Sequence, residues 1–223
     1  ARRLTTAEYG IDPVRVVLPE GSTAYEMSKI LARELNLATA AEFRLAGAQY
    51  EGMLFPDTYM ILPTATSGEV VALLRTTFDE RTHDLRLQAA ASSTHSWSEI
   101  LTMASIIEEE VRVDEDRRLV SGILWKRIDA GMALQVDASF SYLFGKTSAD
   151  VTLDDIATDS PYNTYKFKGL PPGPITNPGI AALEAALEPT ESEYWFYLSD
   201  VFGTTHYAKT YEEHLANKAK YID

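Results

Sequence analysis

The sequence predicts an α+β fold: a small β-α-α-β lobe followed by a mainly helical domain that ends in a β-hairpin and a helix. Three observations carry that reading. Two alternating apolar runs, 14–18 (VRVVL) and 59–62 (YMIL), bracket two helical stretches. Beyond residue 68, three successive segments carry apolar residues at helical spacing. Near the C-terminus, two strand-like runs flank Gly203.

Residues 14–18 turn through Pro19-Glu20-Gly21-Ser22-Thr23 into an amphipathic stretch at 24–35. Thr39-Ala40-Ala41-Glu42 has the form of a capping box, so a second short helix is expected to open there, and the strand at 59–62 returns before Pro63. The small, polar stretch 64–68 (TATSG) sets the expected boundary between a module at 1–63 and a domain at 64–223. In the second unit, 69–91, 97–111 and 117–130 read as helices, the last stopped by Gly131. Residues 154–189 are too rich in Pro, Gly, Asn and Tyr for long elements, except a helix at 179–187 (GIAALEAAL). The hairpin is expected at 194–202 and 205–208, and a closing helix at 211–220.

The 223 residues are 45% hydrophobic and 24% charged, which is enough apolar material for a buried core. A net charge of −13 repels a phosphate backbone, so nucleic acid is disfavoured as a partner. Without cysteine there is no disulfide framework, thiolate metal site or cysteine nucleophile. No apolar run approaches the roughly 18 residues of a spanning helix, which leaves an anchor upstream of Ala1 open.

Ser96-Trp97-Ser98-Glu99 is a capping box, so a helix should start after Ser96. Trp97, Leu101, Ala104, Glu108 and Val111 then fall on one stripe, with Glu108 among apolar neighbours. Glu109 and Glu110 rotate away by roughly 100° and 200°, which places Glu110 on the opposite, solvated face. A carboxyl held against apolar neighbours has a raised pKa and suits a general acid. The pattern equally allows Glu108 to sit at the stripe's edge, facing water or paired with an arginine.

A second constellation is Ser160-Pro161-Tyr162-Asn163-Thr164-Tyr165 with Gly169-Leu170-Pro171-Pro172-Gly173-Pro174-Ile175-Thr176-Asn177-Pro178-Gly179, a rigid, polar, aromatic loop pair. Tyrosine faces stack on sugar rings and Asn or Thr supply directional hydrogen bonds; the alternative is a structural loop with packed tyrosines. Gln135 and Asp137 in Leu134-Gln135-Val136-Asp137 can aim two polar side chains at one place or lie on a solvated face. Gly145-Lys146-Thr147 lacks the first glycine of a phosphate loop, where Phe140 stands. The four histidines have no HExxH spacing, and no serine-nucleophile motif occurs. Acid-base chemistry by a carboxyl remains.

Ala104-Ser105-Ile106-Ile107-Glu108, Glu51-Gly52-Met53-Leu54-Phe55-Pro56-Asp57-Thr58-Tyr59, SPYNTY and GLPPGPITNPG, in that company, resemble the MltG/YceG-like endolytic murein (peptidoglycan) transglycosylase family. Pro19-Glu20-Gly21-Ser22-Thr23 looks like the opening of that family's LysM-like glycan-binding module, so the resemblance covers nearly the whole chain, with 1–63 as that module and 64–223 as a YceG-like catalytic domain. It implies an extracytoplasmic, single-pass, membrane-anchored lyase whose N-terminal helix lies outside this chain. Such an enzyme cuts nascent glycan strands between N-acetylmuramic acid and N-acetylglucosamine and leaves 1,6-anhydro ends. It implies Glu108 as the catalytic residue, no metal or cofactor, peptidoglycan strands as substrate and the cell-wall synthesis machinery as a partner. Gln135, Asp137, Tyr162, Asn163, Tyr165 and Asn177 are the expected substrate-binding residues, and Glu51, Asp57 and Asp137 the candidates for a second carboxylate. The chain departs from the family pattern at Glu109, where Lys is usual, and at Ala138-Ser139, where Pro-Thr is usual. Two rivals stay open: a non-catalytic peptidoglycan-binding scaffold, and a muramidase that releases reducing ends.

Overall fold

A computed structural model describes residues 12–35, 37–111, 113–146 and 150–222. Strand β1 (Val14–Val17) and strand β2 (Thr58–Ile61) pair antiparallel, Val16 opposite Tyr59. Between them lie helices α1 (Ala24–Glu34) and α2 (Leu37–Ala48), giving the expected β-α-α-β order. Thr23 and Glu26 form a reciprocal capping box at the start of α1. The expected start of α2 at Thr39 is corrected: the helix begins at Leu37, so Thr39 lies inside it. Val16, Leu18, Met27, Leu31, Phe43, Leu54 and Ile61 fill the core of this lobe.

Helix α3 (Ser67–Ser92), capped by Thr66 and Glu69, serves both halves of the molecule. Its first turns give Val70, Val71 and Leu74 to the first core, and Phe78 and Ala89 further along belong to the second. Both cores thus draw on α3, and the second also takes Phe55 from the segment before β2. Its 26 residues, about 39 Å, make it a common spine.

The second core is built around helix α4 (Trp97–Glu110), which starts behind the Ser96–Glu99 capping box as the spacing predicts. All eight residues from Ile100 to Ile107 are buried, so the middle of this helix is enclosed on every side, while Ser98, Glu99 and Glu109 in its end turns are exposed. Around it pack α5 (Asp114–Asp129) and α8 (Ile180–Leu187). Helix α5 begins three residues earlier than expected, its first turn holding Asp114, Glu115 and Asp116, which suit the positive end of the helix dipole. Two short helices that the apolar pattern is too brief to reveal, α6 (Ala138–Phe144) and α7 (Leu153–Ile156), lie in the segment before the SPYNTY loop.

Strands β3 (Phe196–Ser199) and β4 (Thr205–Ala208) form the C-terminal hairpin, Tyr197 opposite Tyr207, and α9 (Tyr211–Tyr221) closes the chain. Tyr197 and Tyr207 pack on the second core, so the hairpin lies over the helical bundle. Among the described residues no helix is long and apolar enough to cross a membrane.

Candidate active site

The C-terminal turn of α4 carries Glu108, Glu109 and Glu110, and the fold treats each differently. Glu108 lies inside the apolar stripe, its side chain 6% exposed. Arg117 on α5 donates Nη2–H to Glu108 Oε1 at 2.9 Å, and Gly179 N–H, at the N-cap of α8, donates to Oε2 at 2.9 Å. Arg117 is itself fixed by Nε–H to the Val111 carbonyl at 3.0 Å. Burial raises the Glu108 pKa, while the Gly179 N–H and the Arg117 charge hold it down. Both alternatives left open by the pattern are thus present together: the carboxyl is buried, and it is paired with an arginine.

The Pro19–Thr23 loop of the first lobe packs directly on this turn. Gly21 has φ +76°, and a Cβ there would lie 2.5 Å from Glu109 Oε1. The Glu20 carboxyl lies against Gly179, where a Cβ would fall 1.9 Å from Oε1. Gly21 N–H donates to the Asn177 carbonyl at 3.0 Å, and Asn177 N–H to the Ser22 carbonyl at 3.2 Å. The loops of the two halves are therefore joined strand-fashion beside Glu108.

Glu110 corrects the expectation of a solvated face. The side opposite Glu108 meets the hairpin and α6, which leave Glu110 only partly exposed. Tyr197 donates its hydroxyl to Glu110 Oε2 at 3.0 Å, and Ala138 N–H makes a long contact to Oε1 at 3.4 Å. Burial pushes this carboxyl up to about 7; the Tyr197 hydrogen bond opposes the rise and the Asp137 charge adds to it. No Lys or Arg forms an ion pair with Glu110 among the described residues.

The expected site residues divide between two places. Asp137 Oδ1 accepts the Tyr165 hydroxyl at 2.6 Å, and Gln135 Oε1 accepts Arg127 Nη2–H at 2.5 Å. Burial, the Asp137 hydrogen bond and the Glu110 charge all raise the Tyr165 pKa. Gln135, Asp137 and Tyr165 are thus brought together with Glu110 and Tyr197, on the side of α4 away from the Arg117 pair. Tyr162 is half-buried, its ring centroid 5.0 Å from that of Tyr142.

Asn163 and Asn177 are both fully buried, and their amides are satisfied within the chain. Asn163 Nδ2 donates to the carbonyls of Ile156 and Thr158, and its Oδ1 accepts N–H from Tyr165 and Lys166. Asn177 Oδ1 accepts Leu54 N–H at 2.8 Å, while Nδ2 donates to the Ser22 carbonyl at 2.9 Å and to Glu51 Oε1 at 2.7 Å. These two shape loops and do not face solvent. Glu51 also accepts Ala24 N–H at the start of α1, and burial raises its pKa to about 7. Asp57 is ion-paired with Arg81 at 3.0 Å on the first lobe.

A cleft of about 430 Å³ opens between the first lobe and α6, lined by Glu20, Ser22, Thr23, Glu109, Ser141 and Tyr142 among others. Neither Glu108 nor Glu110 lines it, but Glu109 and Ala138, whose N–H faces Glu110, do. The residues that the spacing argument missed are Glu110, Tyr197 and Arg127. The available signal was the unbroken run Ile100–Ile107 with only small hydroxyls and apolar side chains, which marks a helix whose middle lacks a solvated face.

The sequence matches the YceG-like family over residues 1–220. The chain belongs to the YceG-like family. A *Bacillus subtilis* (strain 168) protein named endolytic murein transglycosylase is 39% identical over 175 residues, 77% of this chain and 48% of that protein. A *Streptococcus pneumoniae* (strain ATCC BAA-255 / R6) protein of the same name is 32% identical over 205 residues, 88% of this chain and 37% of its own. This YceG-like chain thus spans about half or less of the length of those relatives. The crystal structure of a putative YceG-like protein from *Listeria monocytogenes* superposes with a TM-score of 0.81 at 28% identity, over 96% of this chain and 79% of that one.

Proposed function

We propose that this protein is an endolytic murein transglycosylase, a lyase that cuts peptidoglycan glycan strands internally between N-acetylmuramic acid and N-acetylglucosamine and leaves 1,6-anhydromuramic ends. The observation that carries the reading is a shielded carboxyl, Glu110, with its pKa raised to about 7 beside Asp137 and Tyr197, in a chain whose relatives bear that name. A carboxyl with a pKa near the working pH serves equally well as proton donor and as base.

In this proposal Glu110 is the acid. It donates its proton to the glycosidic oxygen as the bond to muramic C1 breaks through an oxocarbenium-like transition state. The resulting carboxylate takes the proton from the C6 hydroxyl of the same sugar, whose oxygen bonds to C1. The acid is thereby restored, and no water is consumed. Tyr197 and Asp137 set the carboxyl's pKa and orientation, and Gln135, Tyr162 and Tyr165 are placed to shape the sugar site. The first lobe acts as a LysM-like glycan-binding module. A peptidoglycan substrate fits a protein that acts outside the cytoplasm, and a membrane tether and wall-synthesis partners belong to the same proposal.

Glu108 is the second reading for the acid, favoured by its place in the Ala-Ser-Ile-Ile-Glu motif and by its own burial-raised pKa. Against it stands Arg117, a fixed counter-charge that favours the ionised form. Mass spectrometry of denuded strands after incubation with wild type, Glu110→Gln and Glu108→Gln tests the choice. Anhydro ends from wild type, lost in Glu110→Gln and retained by folded Glu108→Gln, are expected. Reducing ends point to a muramidase, and strands bound but never cut by any of the three point to the scaffold.

A further inference from the structure

Arg127 sits in the last turn of α5, is 5% exposed, and forms no ion pair with a carboxylate among the described residues. A buried guanidinium without an anion is costly unless its hydrogen bonds are used. Here they go to the turn that follows the helix: Nε–H to the Ala133 carbonyl at 3.1 Å and Nη2–H to Gln135 Oε1 at 2.5 Å. Gln135 is at φ 55°, the single non-glycine residue with positive φ among the described residues. A side chain in the left-handed region stores strain that its surroundings must hold. The next groups along the chain are those of the Glu110 cluster. Gln135 N–H donates to the Thr164 carbonyl at 3.0 Å, Val136 N–H to Thr164 Oγ1 at 3.1 Å, Asp137 accepts Tyr165, and Ala138 N–H faces Glu110.

The geometry points to Arg127 as a positioning residue: its planar fork holds Gln135 in the left-handed conformation and thereby sets Asp137 and the Ala138 N–H against Tyr165 and Glu110. Its catalytic consequence rests on the transglycosylase reading, and its structural consequence does not. The fork matters more than the charge, because two donors at fixed spacing grip a carbonyl and an amide oxygen, which a lysine ammonium cannot reproduce.

The test uses Arg127→Lys, Gln135→Gly and the double variant, read by strand-cleavage kinetics and by amide hydrogen exchange. Arg127→Lys is expected to lower kcat by about 10- to 100-fold, a larger change than that in KM, since displaced catalytic groups cost turnover more than binding. Exchange at Gln135, Val136 and Ala138 is expected to accelerate by about tenfold or more while the α4 amides keep their protection. Glycine adopts φ 55° without strain, so adding Arg127→Lys to Gln135→Gly is expected to cost much less turnover than the same change in wild type, the Ala133 bond being the one left to lose. Unchanged exchange in Arg127→Lys, or the same fold-loss in both backgrounds, overturns the proposal. If wild type cuts no strands that another muralytic enzyme cuts, the transglycosylase reading fails and the exchange result alone decides the role of Arg127.

Discussion

The Tyr197 hydroxyl reaches from the C-terminal hairpin to Glu110 at the end of α4 and donates to its Oε2 at 3.0 Å. A module at the far end of the sequence thus controls a carboxyl at its centre. The bond favours the ionised form and partly offsets the desolvation that lifts Glu110 to about 7.

Tyr197→Phe keeps the ring's packing and removes that donor. The Glu110 pKa is then expected to rise above about 7, because a bond made to the charged form is lost. The limb of the pH–rate profile that reports deprotonation of the acid moves to higher pH by the same amount. An unmoved limb in a folded, active Tyr197→Phe protein rules out Glu110 as the group titrated.

Glu108 and Arg117 make a contrasting prediction, because their side chains are 6% and 8% exposed. Removing Arg117 strands Glu108 in the core, which costs about 3–5 kcal/mol, whereas Arg117 without Glu108 would keep Asp114 at 3.2 Å. Arg117→Ala is expected to lose stability of that order in urea unfolding and to push the Glu108 pKa higher still, since the charge that held it down is gone. Replacing both with Met and Leu should recover much of the loss. A double variant as unstable as Arg117→Ala contradicts the view that the stranded Glu108 charge is what destabilises the single variant.

Most elements follow from local spacing. The Ser96–Glu99 box, the alternation of 14–18 and the run 179–187 each hold within a few residues, because capping and amphipathic period are local properties. The site was harder to read. Helical rotation correctly separates Glu108 from Glu110, but which side meets water depends on what covers the helix, and the cover is Tyr197, 87 residues away in sequence. Asn163 and Asn177 have the residue type expected of sugar ligands. Both are buried with their amides bonded within the chain, mostly to backbone groups and, for Asn177, also to Glu51, since a loop rich in proline supplies few N–H groups and its irregular turns need side-chain partners.

Glu51 and Glu110 both have folded pKa values raised by burial from 4.5 to about 7. Such groups bind protons more tightly when folded, so their contribution to stability is full below about 4.5 and is lost as pH rises to about 7. Each can remove up to about 3 kcal/mol across that window. Thermal unfolding of wild type is expected to weaken between pH 5 and pH 7.5 by more than that of Glu51→Gln combined with Glu110→Gln. Parallel curves for the two proteins contradict the raised values.

Asn177 ties three segments with one amide: Leu54 N–H, the Ser22 carbonyl and Glu51 Oε1. Asn177→Ala leaves those buried groups unpaired and is expected to cost about 2–3 kcal/mol. Asn177→Asp is more informative, because it keeps the shape, retains the acceptor for Leu54 and replaces the donor with a second carboxyl against Glu51. At low pH the two carboxyls can share a proton and the joint between the lobes survives. As pH rises toward 7 and beyond, both cannot ionise at hydrogen-bond distance, so one stays protonated at increasing cost or the loops part. The expected result is an Asn177→Asp protein weaker than wild type at pH 5, because the Ser22 carbonyl loses its donor, with a deficit that grows as pH rises and proteolytic cleavage appearing first in the 19–23 and 176–179 loops. A stability deficit independent of pH, or first cleavage elsewhere, contradicts the view that Glu51 and Asn177 hold the two lobes together.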